Sequence, residues 1–458
     1  MRYYLDPFGC VKNQVDAETM MALLGRSGWE AAADSAEADL IIINSCGFIE
    51  SAKQESINAV LEYRKAYPHK RILLAGCLAQ RYARELSRSL TEADGFFGNE
   101  DLSGIAAAAA ATMGIDAAED MAAAAVGTGG GVRAGTGAGN YVPGDRPLLS
   151  LPGSAYVKIA EGCNNRCSFC AIPGIRGPLR SRSIPDVAAE CRRLLERGIR
   201  ELCLIGQDLG SYGLDRPGLR GGAPGASGDL PRDSGGALPE LLGALSALEG
   251  DFWVRFLYIH PDHFPRGILD LCCRDPRLLP YFDIPFQHGS TALLRAMNRR
   301  GSAESYLALI DTIRGALPDA VIRSTFLTGF PGETEEDFEA LLEFQARAAL
   351  DWAGVFTYSR EEDTPAYAMK GRVPKGLAAE RKALIEERQI PITQGRMDRF
   401  IGRTMDVLVE EALTVPETEA LSGREDPPRE ALYLGRLFCQ APEVDGAAVI
   451  DSFEAGCA

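Results

Sequence analysis

Three cysteines lie close together in the stretch KIAEGCNNRCSFC, directly after an apolar run that is typical of a strand. Cys163, Cys167 and Cys170 have the spacing CxxxCxxC. Three thiolates on a four-iron cluster leave one iron open to bind a substrate, whereas four thiolates suit a cluster that only transfers electrons. The alternatives are a zinc knuckle without its fourth ligand, or unrelated core cysteines. Because closed zinc sites usually pair two short Cys/His couples and no partner couple follows, the spacing favours iron and sulfur.

Three further cysteines are spread over the first eighty residues. Cys10, Cys46 and Cys77 each follow a predicted strand, in FGC, NSC and AGC. The carboxyl ends of parallel strands meet at one edge of a sheet, so these thiols are expected to converge on a second metal site. Three buried cysteines at strand ends by chance is the alternative. Flanking glycines, which would let the backbone approach a bulky ligand, stand at Gly9, Gly47 and Gly76.

The first hundred residues alternate between strand and helix patterns. Strands are predicted over 2–5, 40–44 and 71–75, and helices over 16–24 and 55–67. This alternation predicts an α/β domain with a parallel sheet over residues 1–104. An Ala- and Gly-rich stretch over 105–152 predicts an Ala-rich helix followed by a flexible linker.

A second alternating block predicts an incomplete (β/α)6 barrel over residues 153–395. Its six strand candidates are AYVKIAEG, ELCLIGQD, WVRFLYIHP, YFDIPFQHG, VIRSTFLTGFPG and WAGVFTYSRE. The polar residues that follow these strands in turn are the cysteine triplet, Gln207 with Asp208, His260, Gln287 with His288, the GFPGET run and residues 359–364. Taken singly, His260 and His288 fit a strand-end cap as well as a site. As a set, these residues predict a cleft around the cysteine triplet.

An arginine cluster follows the triplet in IRGPLRSR. Arg176, Arg180 and Arg182 could hold a carboxylate or a partner's acidic group. A solvated loop explains the cluster equally simply. The Gly/Pro-rich stretch 216–238 predicts a mobile surface insertion.

The last segment, residues 396–458, predicts a small β module with strands in TMDVLV and LYLGRLF. Residues 401–458 hold four Arg against twelve Asp and Glu, a net charge of about −8. An RNA-binding β module should instead be basic and rich in aromatics.

Composition limits the partners and the compartment. The chain has 458 residues, enough for about three domains, and a net charge of −16 that disfavours broad binding to nucleic acid. A basic protein partner fits better. With no signal sequence and no apolar run of membrane-spanning length, a cytoplasmic protein without membrane contact is expected. Twelve cysteines in that reducing compartment indicate metal or redox chemistry.

With these motifs in view, the chain resembles the radical-SAM methylthiotransferase family over nearly its whole length. The matching motifs are GCVKNQVDAE, INSCGFIESA, AGCLAQRY, AEGCNNRCSFCAIPGIRGPLRSR, YIHP, DIPFQHGS and GFPGETEEDF. The resemblance implies two 4Fe-4S clusters, one on the triplet with S-adenosylmethionine at its open iron, and an auxiliary one on Cys10, Cys46 and Cys77. A 5′-deoxyadenosyl radical would take a hydrogen from the target carbon, which then receives the methylthio group. By matching position, the implied cofactor contacts are Phe169, Gln207, Gly329 and Gly332.

Within the family, KN after Cys10, GFIESA after Cys46 and LIGQD resemble the RimO type, which modifies the β-carbon of an aspartate in ribosomal protein S twelve. The MiaB type, which modifies a tRNA adenosine, usually has MN in the first position. Ala17 stands where such proteins commonly have Ser. The last segment is similar to a TRAM domain that stops at FEAGCA, before its expected final strand.

The resemblance also implies partners: ribosomal protein S twelve, free or in the small subunit, a sulfur donor, and an electron donor such as flavodoxin or ferredoxin. The negative charge disfavours tRNA as the substrate. A non-catalytic iron-sulfur electron carrier is the remaining alternative. It would need neither an open ligand position nor a ring of polar strand ends.

Overall fold

The computed structural model describes residues 1–115, 146–216, 236–413 and 431–452. Most of the predicted linker 105–152, nearly all of the predicted insertion 216–238 and the terminal FEAGCA lie outside the described residues. None of the described helices combines the length and the apolar character that crossing a bilayer requires.

The first sheet has five parallel strands in the order β2-β1-β3-β4-β5. The strands are β1 Arg2–Pro7, β2 Glu30–Ala31, β3 Leu40–Ser45, β4 Arg71–Gly76 and β5 Gly95–Phe97. The helices around it are Val11–Arg26, Glu50–Ala66, Cys77–Ser89 and Ile105–Met113. Every residue of β3 is buried, with Ile42 and Ile43 in different apolar clusters, because helices cover both faces. The predicted parallel α/β domain is confirmed; the short β2 and β5 and the helix Cys77–Ser89 were not predicted.

The second sheet has six parallel strands that neighbour each other in chain order, as a (β/α)6 partial barrel requires. The strands are β6 Ser154–Lys158, β9 Glu201–Ile205, β10 Trp253–Phe256, β11 Leu278–Asp283, β12 Val321–Thr328 and β13 Trp352–Thr357. A small antiparallel pair, β7 Ala160–Glu161 and β8 Arg180–Ser181, flanks the cysteine loop. The helices are Ile172–Arg176, Ile184–Glu196, Leu238–Ser246, Gly267–Arg274, Thr291–Ala296, Ala303–Ala316, Glu335–Ala348 and Lys375–Met397. All six predicted strands are confirmed.

The last sheet has three antiparallel strands, β14 Val407–Leu413, β15 Ala431–Leu437 and β16 Ala448–Ser452. The small β module is therefore confirmed, with β16 as a strand that was not predicted. Its likeness to a TRAM domain stays a prediction.

The inner face of the barrel is filled from two directions. Tyr156, Cys203 and Tyr281 form one apolar cluster with Val15 of helix Val11–Arg26 and with Cys439 of the β module. The first sheet thus contributes a helix to one side of the lumen, and the β module contributes a segment to the other.

The β module reaches the amino ends of the barrel strands. Arg436 donates to Ser154 Oγ at 2.8 Å and to Glu201 Oε2 at 2.6 Å, and these are the first residues of β6 and β9. Trp352, the first residue of β13, donates through Nε1 to Cys439 O at 2.8 Å. The carboxyl ends of the same strands are left to form the site.

Candidate functional site

The first cysteine set, Cys10, Cys46 and Cys77, lies at the carboxyl edge of the first sheet. Cys10 caps helix Val11–Arg26 just after β1, Cys46 follows β3 directly, and Cys77 begins the helix after β4. These three strands are neighbours in the sheet. Burial raises the pKa of Cys77 to about 12, although the positive charge of Arg176 acts in the opposite direction. The structure places the three cysteines at the same edge of the sheet; that they hold one metal cluster stays a prediction.

The glycines beside these cysteines have a different role from the predicted one. A Cβ on Gly47 would lie 2.7 Å from the carbonyl oxygen of Cys77, and one on Gly76 would lie 2.5 Å from Asn44 Oδ1. Neighbouring loops, rather than a bulky ligand, occupy the space that the absent side chains leave. The glycines let the loops pack closely enough to bring their cysteines together.

Donors surround this cysteine set. Asn99 Nδ2 donates to Cys77 Sγ at 3.1 Å and Arg176 Nη2 donates to it at 3.3 Å. Burial opposes ionisation of Cys10, but the positive charges of Lys12 and Arg176 outweigh it and lower the pKa of that thiol. Thiolates are the form that binds iron, so these donors suit a cluster site.

The second cysteine set wraps around the loop between β7 and helix Ile172–Arg176. The amide of Cys163 donates to Gly177 O at 3.1 Å, and that of Cys170 donates to Cys167 O at 3.1 Å. Burial raises the pKa of Cys170 to about 12, and the charges of Cys167 and Cys163 add to the effect. The three thiols are therefore close and poorly hydrated, and a bound cationic cluster would compensate their charge.

Neither set converges on a single point. Across the described part of the chain, no group of three or more His, Cys, Asp or Glu side chains is arranged to hold one metal ion. A structural zinc ion needs such convergence. In a 4Fe-4S cluster each cysteine binds a different iron, so the thiols stay apart. Which kind of metal centre the two sets hold therefore stays a prediction from the sequence.

Asp208 is the central polar residue at the mouth of the barrel. Its carboxylate accepts from Asn165 Nδ2 at 2.9 Å and from the amide of His260 at 3.0 Å, and His263 Nδ1 lies 2.9 Å from it. Burial opposes ionisation of Asp208, but its hydrogen bonds with His263 and Ser211 lower its pKa. The carboxylate thereby fixes the cysteine loop, through Asn165, to the ends of β9 and β10.

The two histidines at the strand ends differ. His260 Nε2 lies 4.0 Å from Cys167 Sγ, and burial together with Arg299 lowers the pKa of His260 to about 3, so its ring is neutral at pH 7. His288 is fully buried and accepts from the amide of Ser290 at 2.9 Å. His260 thus belongs to the site, whereas His288 is a local cap.

The four residues that the resemblance implies as cofactor contacts have separate surroundings. Phe169 packs against Leu327 in a small apolar cluster, and Gln207 is half-buried beside Asp208. A Cβ on Gly329 would lie 2.5 Å from Ala378 Cβ, so packing against helix Lys375–Met397 already requires a glycine there. A Cβ on Gly332 would meet no described atom within 4 Å. All four stay predictions.

A short helix joins the two cysteine sets. Ala171 and Ile175, which follow Cys170 closely, form an apolar cluster with Cys77. Arg176, at the end of that helix, donates to the same Cys77 sulfur. The segment that follows Cys163, Cys167 and Cys170 therefore packs directly on a cysteine of the first set.

The arginine cluster is mostly internal, so the expectation of a solvated loop is wrong. Arg176 is 5% exposed and pairs with Asp16 and Glu161, at 2.9 Å each. Arg182 is 4% exposed and pairs with Glu190 at 2.5 Å. The cluster does hold carboxylates, but they belong to the chain itself and lock helix Val11–Arg26 to the cysteine loop.

Lys12 also lies at this interface. Its ammonium is 3.2 Å from the centroid of the Tyr258 ring, just after β10. Burial lowers the pKa of Lys12, partly offset by the charge of Cys10. Tyr258 has a φ of 70°, a conformation that is rare for a side chain of this size and that recurs at functional sites.

Sequence reasoning did not assign roles to Lys12, Asn99 or Arg299. Lys12 could have been singled out because it stands two residues from Cys10 inside a matching motif. Asn99 and Arg299 carry no such signal, since they reach the cysteines only through the folding of distant segments.

Comparison with known proteins agrees with this site. Residues 2–98 match the uncharacterized protein family UPF0004, and residues 157–344 match the radical SAM superfamily. A Treponema denticola protein named ribosomal protein uS12 methylthiotransferase RimO is 45% identical over 461 residues, with 98% of this chain and 92% of that protein covered. The chain belongs to the radical-SAM methylthiotransferase family. Membership of the radical SAM superfamily implies S-adenosylmethionine and a 4Fe-4S cluster as cofactors of this methylthiotransferase.

Two further relatives carry the same name. The Moorella thermoacetica protein is 38% identical over 444 residues, covering 96% of this methylthiotransferase and 91% of the relative. The Thermotoga maritima protein is 36% identical over 453 residues, covering 98% and 94%. Among solved structures, the radical S-adenosylmethionine methyltransferase TsrM from Kitasatospora setae superposes with a TM-score of 0.53 at 14% identity, over 80% of this chain and 76% of that one. That likeness supports the fold alone.

Proposed function

We propose that this methylthiotransferase adds a methylthio group to the β-carbon of an aspartate in ribosomal protein uS12. The relatives that share 36–45% identity over nearly the whole chain carry the name of that activity. A net charge of −16 favours a basic ribosomal protein over tRNA as the substrate.

The observation that carries the chemistry is the contact between the two cysteine sets. Ala171 and Ile175 pack on Cys77, and Arg176 donates to its sulfur at 3.3 Å. A protein that only transferred electrons would need no substrate site beside these cysteines. Sulfur insertion does need them together, because the carbon that loses a hydrogen must then meet the sulfur.

The cysteines divide between two cofactor sites in this proposal. Cys163, Cys167 and Cys170 would hold the 4Fe-4S cluster that works with S-adenosylmethionine, and Cys10, Cys46 and Cys77 would hold a second one. When bound, the two clusters supply a 5′-deoxyadenosyl radical and a sulfur to be methylated and transferred. The proposed contacts to S-adenosylmethionine are Phe169, Gln207, Gly329 and Gly332.

The chain's own residues orient and shield these sites. Arg176 and Asn99 donate to Cys77 and so stabilise its thiolate. Asp208 fixes the cysteine loop through Asn165. The amino end of helix Val11–Arg26 covers the barrel lumen, which excludes water from a reaction that a radical must complete.

We assign the chemistry to segments of the chain as follows: residues 1–104, together with helix Ile105–Met113, hold the second cluster, the rest of 105–152 forms a linker, 153–395 carry the radical-SAM barrel and 396–458 a β module of the TRAM type. A sulfur donor and an electron donor such as flavodoxin or ferredoxin complete the reaction. A ribosomal substrate places that reaction in the cytoplasm.

Direct competition between the two substrates tests the proposal. Anaerobically reconstituted and reduced protein is given S-adenosylmethionine, sulfide, ribosomes and tRNA together, and mass spectrometry locates the methylthio group. We expect it on an aspartate of uS12. A methylthio group on a tRNA adenosine would overturn the substrate, and a reconstituted protein that never cleaves S-adenosylmethionine would overturn the enzyme.

A further inference from the structure

Lys12 is a buried cation without a carboxylate partner. It is 6% exposed, and no described carboxylate forms an ion pair with its ammonium. The carboxylates whose fields reach it are taken by arginines, since Asp283 lies 3.3 Å from Arg323 and Glu161 lies 2.9 Å from Arg176. A desolvated ammonium with only an aromatic ring beside it gains from an additional anion.

The ammonium is also open to a ligand. Some buried side-chain atoms of the described residues are completely shielded from solvent and have no hydrogen-bond partner. Lys12 Nζ is not one of them. Its residual exposure is therefore shared by the charged end of the side chain.

The position of Lys12 relates it to both cysteine sets. It stands two residues after Cys10, in the first turn of helix Val11–Arg26. Its ammonium lies 3.2 Å from the ring centroid of Tyr258, two residues before His260, and His260 lies 4.0 Å from Cys167 Sγ. Lys12 thus stands beside Cys10 of the first set, and its ring partner Tyr258 lies on the same loop as His260, which neighbours the second set.

We propose that Lys12 binds the side-chain carboxylate of the target aspartate and makes the enzyme select an acidic residue. This inference rests on the proposed function. The carboxylate carbon is bonded to the β-carbon, so fixing the former positions the latter within one bond length. Lys12 acts as a positioning and specificity residue, and the ammonium replaces the water that the carboxylate loses on entry.

A second role for the same charge has to be separated from this one. Lys12 could simply balance the negative charge of the auxiliary cysteines, because Cys10 is close enough to feel it. That role would affect cluster assembly and would not distinguish Asp from Asn in the substrate. Arg299 is a buried cation that lies beside Cys167 of the second cysteine set and donates to Pro285 O at 2.8 Å. It therefore does not balance the charge of Cys10.

The test compares substrates as well as enzyme variants. Reconstituted but unreduced holoenzyme, which cannot turn over, is titrated with labelled uS12 whose target residue is either Asp or Asn. We expect the wild type to bind the Asp form about 30-fold more tightly, since truncating one partner of a buried charge pair has a large effect on binding. In Lys12→Met the preference should fall to within about threefold, and Lys12→Arg should restore part of it.

Lys53→Met is the matched control. Lys53 also faces the barrel from the first sheet, but its ammonium pairs with Glu361 at 3.0 Å. This variant should keep the preference for Asp. The iron content of Lys12→Met is measured in the same preparation, so that a loss of the second cluster is distinguished from a loss of the preference for Asp.

Each possible result either supports or overturns the role that we assign to Lys12. Equal binding of the Asp and Asn forms by the wild type overturns the inference without any enzyme variant, even if Lys12→Met fails to fold. A Lys12→Met enzyme that still prefers Asp also overturns it. If the wild type does not modify uS12 at all in the reduced assay, the proposed function itself fails, which is a different result.

Discussion

Arg176 and Cys77 are 99 residues apart in the sequence, yet the guanidinium donates to the sulfur at 3.3 Å. Arg176 follows one cysteine set and Cys77 belongs to the other. The same guanidinium pairs with Asp16 and Glu161 in a buried network. One side chain therefore carries much of the coupling between the first sheet and the barrel.

Replacing Arg176 with Met should destabilise the protein by about 3–5 kcal/mol, because two buried carboxylates lose a partner. Arg176→Lys should lose less. Urea unfolding followed by circular dichroism measures the change. Unchanged unfolding midpoints would contradict the coupling that we assign to this residue. Arg347→Gln, at an exposed i,i+4 pair with Glu343, is the control and should have almost no effect.

The two cysteine sets should separate by mutation. Cys46→Ala should lower the iron content from about eight to about four per chain, spare cleavage of S-adenosylmethionine and abolish methylthio transfer. Cys167→Ala should lose both activities. Iron analysis and chromatography of 5′-deoxyadenosine measure these outcomes. Methylthio transfer by Cys46→Ala would exclude the second cluster site.

Gly76 should be far less tolerant of a side chain than Gly28. Both have a left-handed backbone, with φ of 92° and 81°. A Cβ on Gly76 would lie 2.7 Å from the backbone oxygen of Ser45, whereas one on Gly28 would meet nothing within 4 Å. We expect Gly28→Ala to cost about 1 kcal/mol and Gly76→Ala about 3 kcal/mol or more. Equal melting temperatures for the two variants would contradict the close packing of the cysteine loops.

Glu201 should make the stability of the folded protein depend on pH in the acidic range. Burial opposes its ionisation, but Arg255 and Arg436 lower its pKa from 4.5 to about 2. Because the pKa is lower in the folded state, the carboxylate stabilises the protein above pH 4.5, and this contribution is lost as the pH falls towards 2. The shift corresponds to roughly 3 kcal/mol.

The variant Glu201→Gln isolates that contribution. Urea midpoints measured from pH 6 down to pH 3 should fall more steeply for the wild type than for the variant. The variant should be less stable at pH 6, since it leaves Arg255 without its carboxylate and Arg436 with Glu410 alone. Parallel pH profiles would show that other groups control the acid sensitivity.

The sequence predicted the parts of the site that depend on local pattern. The strand ends at Cys46 and Cys77 followed from apolar runs such as LIIIN and RILLA, and the carboxyl edge of a parallel sheet then brought the thiols together. The six barrel strands were equally legible. The brief β2 and β5, of two and three residues, lack the length that makes a strand pattern visible.

The relative placement of the two sheets could not be predicted. Arg176 in IRGPLR reads as a surface residue, and only the docking of helix Val11–Arg26 brings Asp16 against it. The contact of Lys12 with Tyr258 depends on the same docking. Contacts between distant segments leave no periodicity in either segment, so pattern reasoning had no access to them.

The β module completes the inner face of the barrel, and this has a consequence for biosynthesis. Arg436 and Cys439 contact the barrel strands, yet they leave the ribosome long after the cysteine loop at about 5–20 residues per second. During that interval the barrel lacks part of its inner apolar cluster, to which Cys439 belongs. Chains stalled before Arg436 should therefore be incompletely packed and more susceptible to proteases than the full chain.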